Sequence, residues 1–244
     1  MVVTDFLINK CNFKKNNMTL EKFNLAEIET DQLFSGEKVI HDGIVDFAEY
    51  NTASPKILWI LKEANSSESG WTMREALKNL KNKSGGLKTG WANTFTSIIY
   101  TTNGIFTGED WDSMGNFHQD ESIIDVLQKV AYINVKKVPG GSQADWNLIK
   151  EYYSENKTAL HQQIQLINPE IIIFGGTYNF FDDDFFELFG ELESDVENNS
   201  LHIYQNKDYL LLNAYHPNNR VIKHSTYCNL ILDAVKNWQF KFRK

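Results

Sequence analysis

Four short runs of almost unbroken apolar residues stand out along the chain: residues 56–61 (KILWIL), 130–134 (VAYIN), 170–174 (EIIIF) and 209–213 (YLLLN). Runs of this length that do not alternate predict strands covered on both faces, as in parallel sheets. Helical spacing lies between them, over residues 71–80, 120–129, 146–167, 178–189 and 225–240. The third of these is stopped by Asn168-Pro169, because the residue before proline is pushed out of the helical region. The Asp-Glu-Ser start and Lys end of 120–129 suit the helix dipole. Residues 19–23 and 26–34 read as short helices or turns, and residues 1–17 as a polar, loosely held lead-in. His202 to Tyr204 reads as a small extra strand. Strands alternating with helices predict an α/β fold of three layers, α/β/α, around a central, mostly parallel four-stranded sheet. The expected organisation is an N-terminal extension, 1–50, packed on an α/β domain, 51–244.

Composition narrows the classes. The chain has 244 residues, 42% hydrophobic and 23% charged, as an ordinary globular protein has. No apolar run reaches the roughly 20 residues that span a bilayer, and the N-terminal apolar stretch is short for a signal peptide. Two cysteines, Cys11 and Cys228, make no disulfide framework. A cytoplasmic, monomeric protein without membrane contact is expected. The net charge is −8, but residues 182–197 alone hold eight acids and no base. Outside that run, read as a solvated helix face, acids and bases balance. Broad non-specific nucleic-acid binding is therefore not expected.

Ligands of open parallel sheets bind beyond the carboxyl ends of the strands. The first run is followed by Lys62-Glu63-Ala64-Asn65 and the second ends on Asn134, followed by Val135-Lys136-Lys137. The third leads into Gly175-Gly176-Thr177, read as a tight turn. The fourth ends on Asn213 and leads into Ala214-Tyr215-His216-Pro217-Asn218-Asn219-Arg220. Parallel strands would bring a carboxylate, amides, a histidine and several bases to one crevice. Each residue also has a plainer reading. Asn134 can close a strand end, His216 can be a loop histidine, and Glu63 can pair with Lys62, Lys136 or Lys137. Trp71, Trp91, Phe95 and Tyr215 are candidate stacking partners for a base, or core. The other histidines show no ligand spacing, and no metal is expected.

These segments, in this order, resemble the uracil-DNA glycosylase superfamily. Lys62-Glu63-Ala64-Asn65 stands where the family has a GQDPY or GEAPG motif. Asn134 is similar to the family's base-reading Asn, residues 168–176 to its PKVIVALG strand, and His216-Pro217-Asn218 to its HPS loop. The resemblance spans residues 56–223. It implies hydrolysis of the N-glycosidic bond of uracil or another deaminated base in DNA, as in base-excision repair. It implies Glu63 and His216 as catalytic residues. Lys62, Asn65, Asn134, Lys136, Asn218 and Arg220 would bind substrate, with Lys137 and Lys223 as further phosphate contacts. No cofactor is implied, and the cysteines of the family's iron–sulfur members are absent. The chain departs from the pattern at Lys62 for Gly, Asn65 for Pro, and Ala64 for the Asp of the most active members. Those departures leave open a protein that binds a nucleobase, nucleotide or nucleic acid without chemistry.

Overall fold

The computed structural model describes residues 19–34, 36, 38–197 and 200–243. The lead-in at 1–17, with Cys11, lies outside them. Seven strands form one mixed sheet in the order β1-β3-β2-β4-β7-β6-β5. Its middle is the predicted quartet: β2 (Ile57–Leu61), β3 (Val130–Asn134), β4 (Ile171–Gly175) and β7 (Leu210–Ala214). These four are adjacent and mutually parallel. All five residues of β2, β3 and β4 are buried, which is why the runs carry no alternation.

The expected four-stranded sheet is corrected to seven strands, one of which covers the small extra strand read at 202–204. Three antiparallel strands flank the quartet: β1 (Gly43–Ile44) beside β3, and β6 (Leu201–Gln205) then β5 (Glu193–Glu197) beyond β7. A two-residue strand leaves no periodicity to read. The edge strand β5 is rich in acids, which blunts an exposed edge and, in sequence, imitates a helix surface. The 182–197 run is thus not one helix face. It holds a 3-10 turn (Asp182–Asp184), the short helix α6 (Phe185–Phe189) and β5. The helix expected at 178–189 breaks there. Asp184 turns inward and accepts from Tyr153 Oη at 2.6 Å, while Lys157 pairs with its other oxygen.

Successive residues of each central strand serve opposite cores. Ile57, Trp59, Leu61, Val130, Tyr132, Ile171 and Ile173 meet α3 (Met73–Lys78), α4 (Ala92–Thr107) and α7 (His224–Phe242). Leu58, Ile60, Ala131, Ile133, Ile172 and Phe174 meet α1 (Leu20–Leu33), α5 (Trp146–Ile167) and α6. α5 has the predicted bounds, and Asn168 ends it in the left-handed region at φ 49°. Residues 121–129 wind as a 3-10 helix, and α2 (Phe47–Thr52) is short. α4 has no sequence signature. Its stretch is rich in Thr and β-branched residues, and Ser97, Thr101 and Thr102 are buried with its apolar residues. The polar contrast that marks an amphipathic helix is therefore missing. Thr102 Oγ1 accepts from the buried Trp59 indole at 3.1 Å.

The start of the described chain is pinned by charge. Asp42 accepts from Lys137 Nζ at 2.6 Å, from Gln163 at 3.0 Å and from the Asn134 N–H at 2.7 Å. The Asp42 and Lys137 side chains are 0% and 1% exposed. No helix among the described residues is long and apolar enough to cross a membrane.

Candidate functional site

The carboxyl ends of the parallel strands carry two different constructions. At the β2–β3 end the chain continues as paired loops. Val135 N–H donates to Leu61 O and Lys136 N–H to Lys62 O, both at 2.8 Å, and Gly140 N–H donates to Ala64 O at 2.9 Å. Glu63 and Lys136 form an ion pair inside this zipper, with the Glu63 side chain 7% exposed. Lys136 Nζ also reaches Pro139 O at 3.3 Å. The Glu63 carboxyl lies where a Gly140 side chain would be: an added Cβ would stand 1.9 Å from its Cδ. Of the partners open to Glu63 in the sequence, Lys136 is the one that binds it, and the pair is sealed by backbone.

Asn134 is 1% exposed and belongs to this end. Its N–H is held by Asp42, and its Oδ1 accepts from Tyr132 Oη at 3.4 Å. Tyr132 is the buried end of a file of rings. Phe95 lies 5.7 Å from it, Trp91 5.2 Å from Phe95, and Trp71 6.3 Å from Trp91. The stacking candidates Trp71, Trp91 and Phe95 thus form a wall on the Asn134 side. Lys137, read as a phosphate contact, is inside the Asp42 pair instead.

The second construction is a cleft of about 500 Å³ at the β4–β7 end. Lys62, Trp146, Tyr178, His202, Asn213 and His216 line it, joined by Gly176, Asn179, Ser200, Ala214, Tyr215 and Asn219. His216 stands at its rim with Nδ1 accepting the Asn218 N–H at 3.1 Å. A neutral imidazole that accepts at Nδ1 carries its proton on Nε2. Nε2 has no hydrogen-bond partner among the described residues. Burial, and then the Lys62 ammonium, hold the His216 pKa down at about 4. The ring is therefore a neutral N–H donor across the ordinary pH range. Lys62 lies over the Trp146 ring, 4.7 Å from its centroid, and burial lowers its pKa against the pull of Glu63.

Of the expected site residues, Lys62 and His216 come together in the cleft. Asn218 contributes through its backbone N–H, and its side chain is exposed, as are Arg220 and Asn65. Asn65 bridges to Gly140 through backbone. Glu63, Asn134 and Lys136 do not line the cleft. Sequence reasoning passed over Trp146, Tyr178, Asn179, Ser200 and His202. Asn213 carried a signal, being the polar end of an apolar run. His202 carried none, because only the antiparallel β6–β7 pairing sets it opposite Asn213. Among the described residues no group of three or more His, Cys, Asp and Glu is arranged to hold a metal. No protein-family model matches this chain, and no curated protein matches it either.

Proposed function

We propose that this chain is a uracil-DNA glycosylase-like protein that excises uracil or another deaminated base by hydrolysing its N-glycosidic bond. The observation that carries this reading is the neutral His216, with Nδ1 held by backbone and Nε2–H left as a donor at the cleft. As the bond from base to sugar breaks, negative charge builds on the base carbonyl, and a preorganised N–H at that point strengthens in the transition state. A base flipped out of its stack would lie against Trp146 and Tyr178. Its polar edge would meet the amides of Asn213 and Asn219 rather than Asn134. The oxygen of a water molecule then bonds to the anomeric carbon. One of its protons leaves to solvent, and the base departs with the bonding electrons. In this reading Glu63 acts on the loops rather than on water, because Lys136 holds its carboxylate.

A second reading is supported by a separate observation: no Asp or Glu lines the cleft among the described residues, so no carboxylate there would stabilise a cationic sugar. The same cleft then serves as a nucleobase- or nucleotide-binding site without hydrolysis. Single-turnover cleavage of oligonucleotides carrying uracil, hypoxanthine or xanthine separates the two. Release of one base by the wild-type protein, abolished in His216→Ala, supports excision. Binding without release of any base supports the second reading.

A further inference from the structure

The whole chain carries 32 acids against 24 bases, yet the described lining of the cleft holds an ammonium, two imidazoles, amides and the hydroxyls of Ser200, Tyr178 and Tyr215, and no carboxylate. Lys62 is its fixed cation. Glu63, the carboxylate that acts on Lys62, is itself bound to Lys136. The Lys62 ammonium rests instead on the ring of Trp146, which is 49% exposed and also stacks on Phe180 with centroids 5.2 Å apart. A half-buried ammonium that forms no ion pair of its own among the described residues, set among donors, has the recognition chemistry of a single anion. The aromatic walls add a surface for a planar ring. Two further bases that would follow a longer polyanion are spent elsewhere: Lys136 on Glu63 and Lys137 on Asp42.

From this we infer that the cleft takes a nucleoside carrying one phosphate monoester, with the phosphate on Lys62 and the base against the aromatic walls. The inference rests on the cleft being a nucleobase site and is independent of hydrolysis. The phosphate monoester has two sources, a free mononucleotide or the phosphorylated end of a strand.

Titration calorimetry on the full chain tests it with dUMP against deoxyuridine, dIMP against deoxyinosine, and a short oligonucleotide with and without a 5′-phosphate. In the wild type the phosphorylated member of at least one pair binds about tenfold tighter or more, the effect of one charge-assisted hydrogen bond. Lys62→Gln brings that pair to within about twofold, while binding of the unphosphorylated member persists and shows that the cleft is still formed. A preference confined to the free nucleotides assigns the first source, and one confined to the oligonucleotide assigns the strand end. Equal binding of both members of every pair in the wild type overturns the inference. So does a preference that survives Lys62→Gln, and so does binding of none of the probes. Chromatography of the same mixtures keeps the outcomes distinct. Lys62-dependent binding with no released base from any substrate removes the hydrolytic reading and leaves the phosphate subsite. Base release without phosphate preference does the reverse.

Discussion

His216 accepts the Asn218 N–H at Nδ1, so protonating the ring breaks that bond and sets a second cation beside Lys62. Both effects favour the neutral form. In the unfolded chain the ring takes its proton near its ordinary pKa of about 6.5, while in the folded protein it does so at about 4. Between those values the unfolded state binds more protons. The stability owed to the neutral ring is therefore complete above about 6.5 and lost as pH falls toward 4. An NMR titration of His216 is expected to give a midpoint near 4. In Lys62→Gln the midpoint should rise but stay below 6.5, since burial is the larger cause. For catalysis, His216→Ala should slow single-turnover cleavage by about 10²- to 10³-fold, as removing an oxyanion-hole donor does, with a smaller loss of binding. Equal losses in binding and in rate would remove the transition-state role.

At the scale of elements, the loops after β2 and β3 work as one unit. The backbone zipper brings Gly140 against the Glu63 carboxyl, and the bound Lys136 neutralises that carboxyl where water is scarce. Gly140→Ala would put Cβ 1.9 Å from Glu63 Cδ. It is expected to cost about 1–3 kcal/mol in urea unfolding, the usual range for overpacking. Glu63→Gln leaves Lys136 unpaired and should destabilise by a similar amount, about 1–3 kcal/mol. The same variant separates two roles for Glu63. A carboxylate that activated water would lower the cleavage rate with stability intact, whereas a structural one lowers stability first.

At the scale of the molecule, the Asp42–Lys137 pair joins the chain entering the sheet to the β3 end and, through Gln163, to α5. Removing one member leaves the other charged and buried. Lys137→Ala should therefore cost about 3–5 kcal/mol in urea unfolding. Replacing both members with apolar residues of similar volume would cost far less by the same argument. The two ion pairs also limit any contact with a nucleic-acid backbone. Of Lys136, Lys137, Arg220 and Lys223, only Arg220 and Lys223 are exposed. Each neutralised phosphate adds about 0.7–0.9 to the slope of log K against log salt. A slope below about two is expected for a uracil oligonucleotide, where four contacts would give about three. Fluorescence anisotropy across a salt series measures it.

Much of the architecture is written in local pattern. The four buried runs identify the parallel strands because a strand covered on both faces must be apolar throughout. Asn168-Pro169 marks the end of α5 because backbone sterics act within two residues. That His216 and Lys62 meet in one cleft was legible because parallel strands must release their following loops at one edge. What local pattern cannot carry is pairing. The antiparallel strands β1 and β5 are too short or too charged to stand apart from turns and helix faces, and only their neighbours make them strands, whereas β6 shows in the sequence as the small strand at 202–204. The same limit divides the expected site. Glu63, Asn134 and Lys136 follow strand ends as His216 and Lys62 do, but side-chain alternation and the Glu63–Lys136 and Asp42–Lys137 pairs turn them into the β2–β3 loops. Trp146, Tyr178 and His202 enter the cleft from α5, the turn after β4 and β6. Their presence there depends on how distant elements meet, which only the packed chain decides.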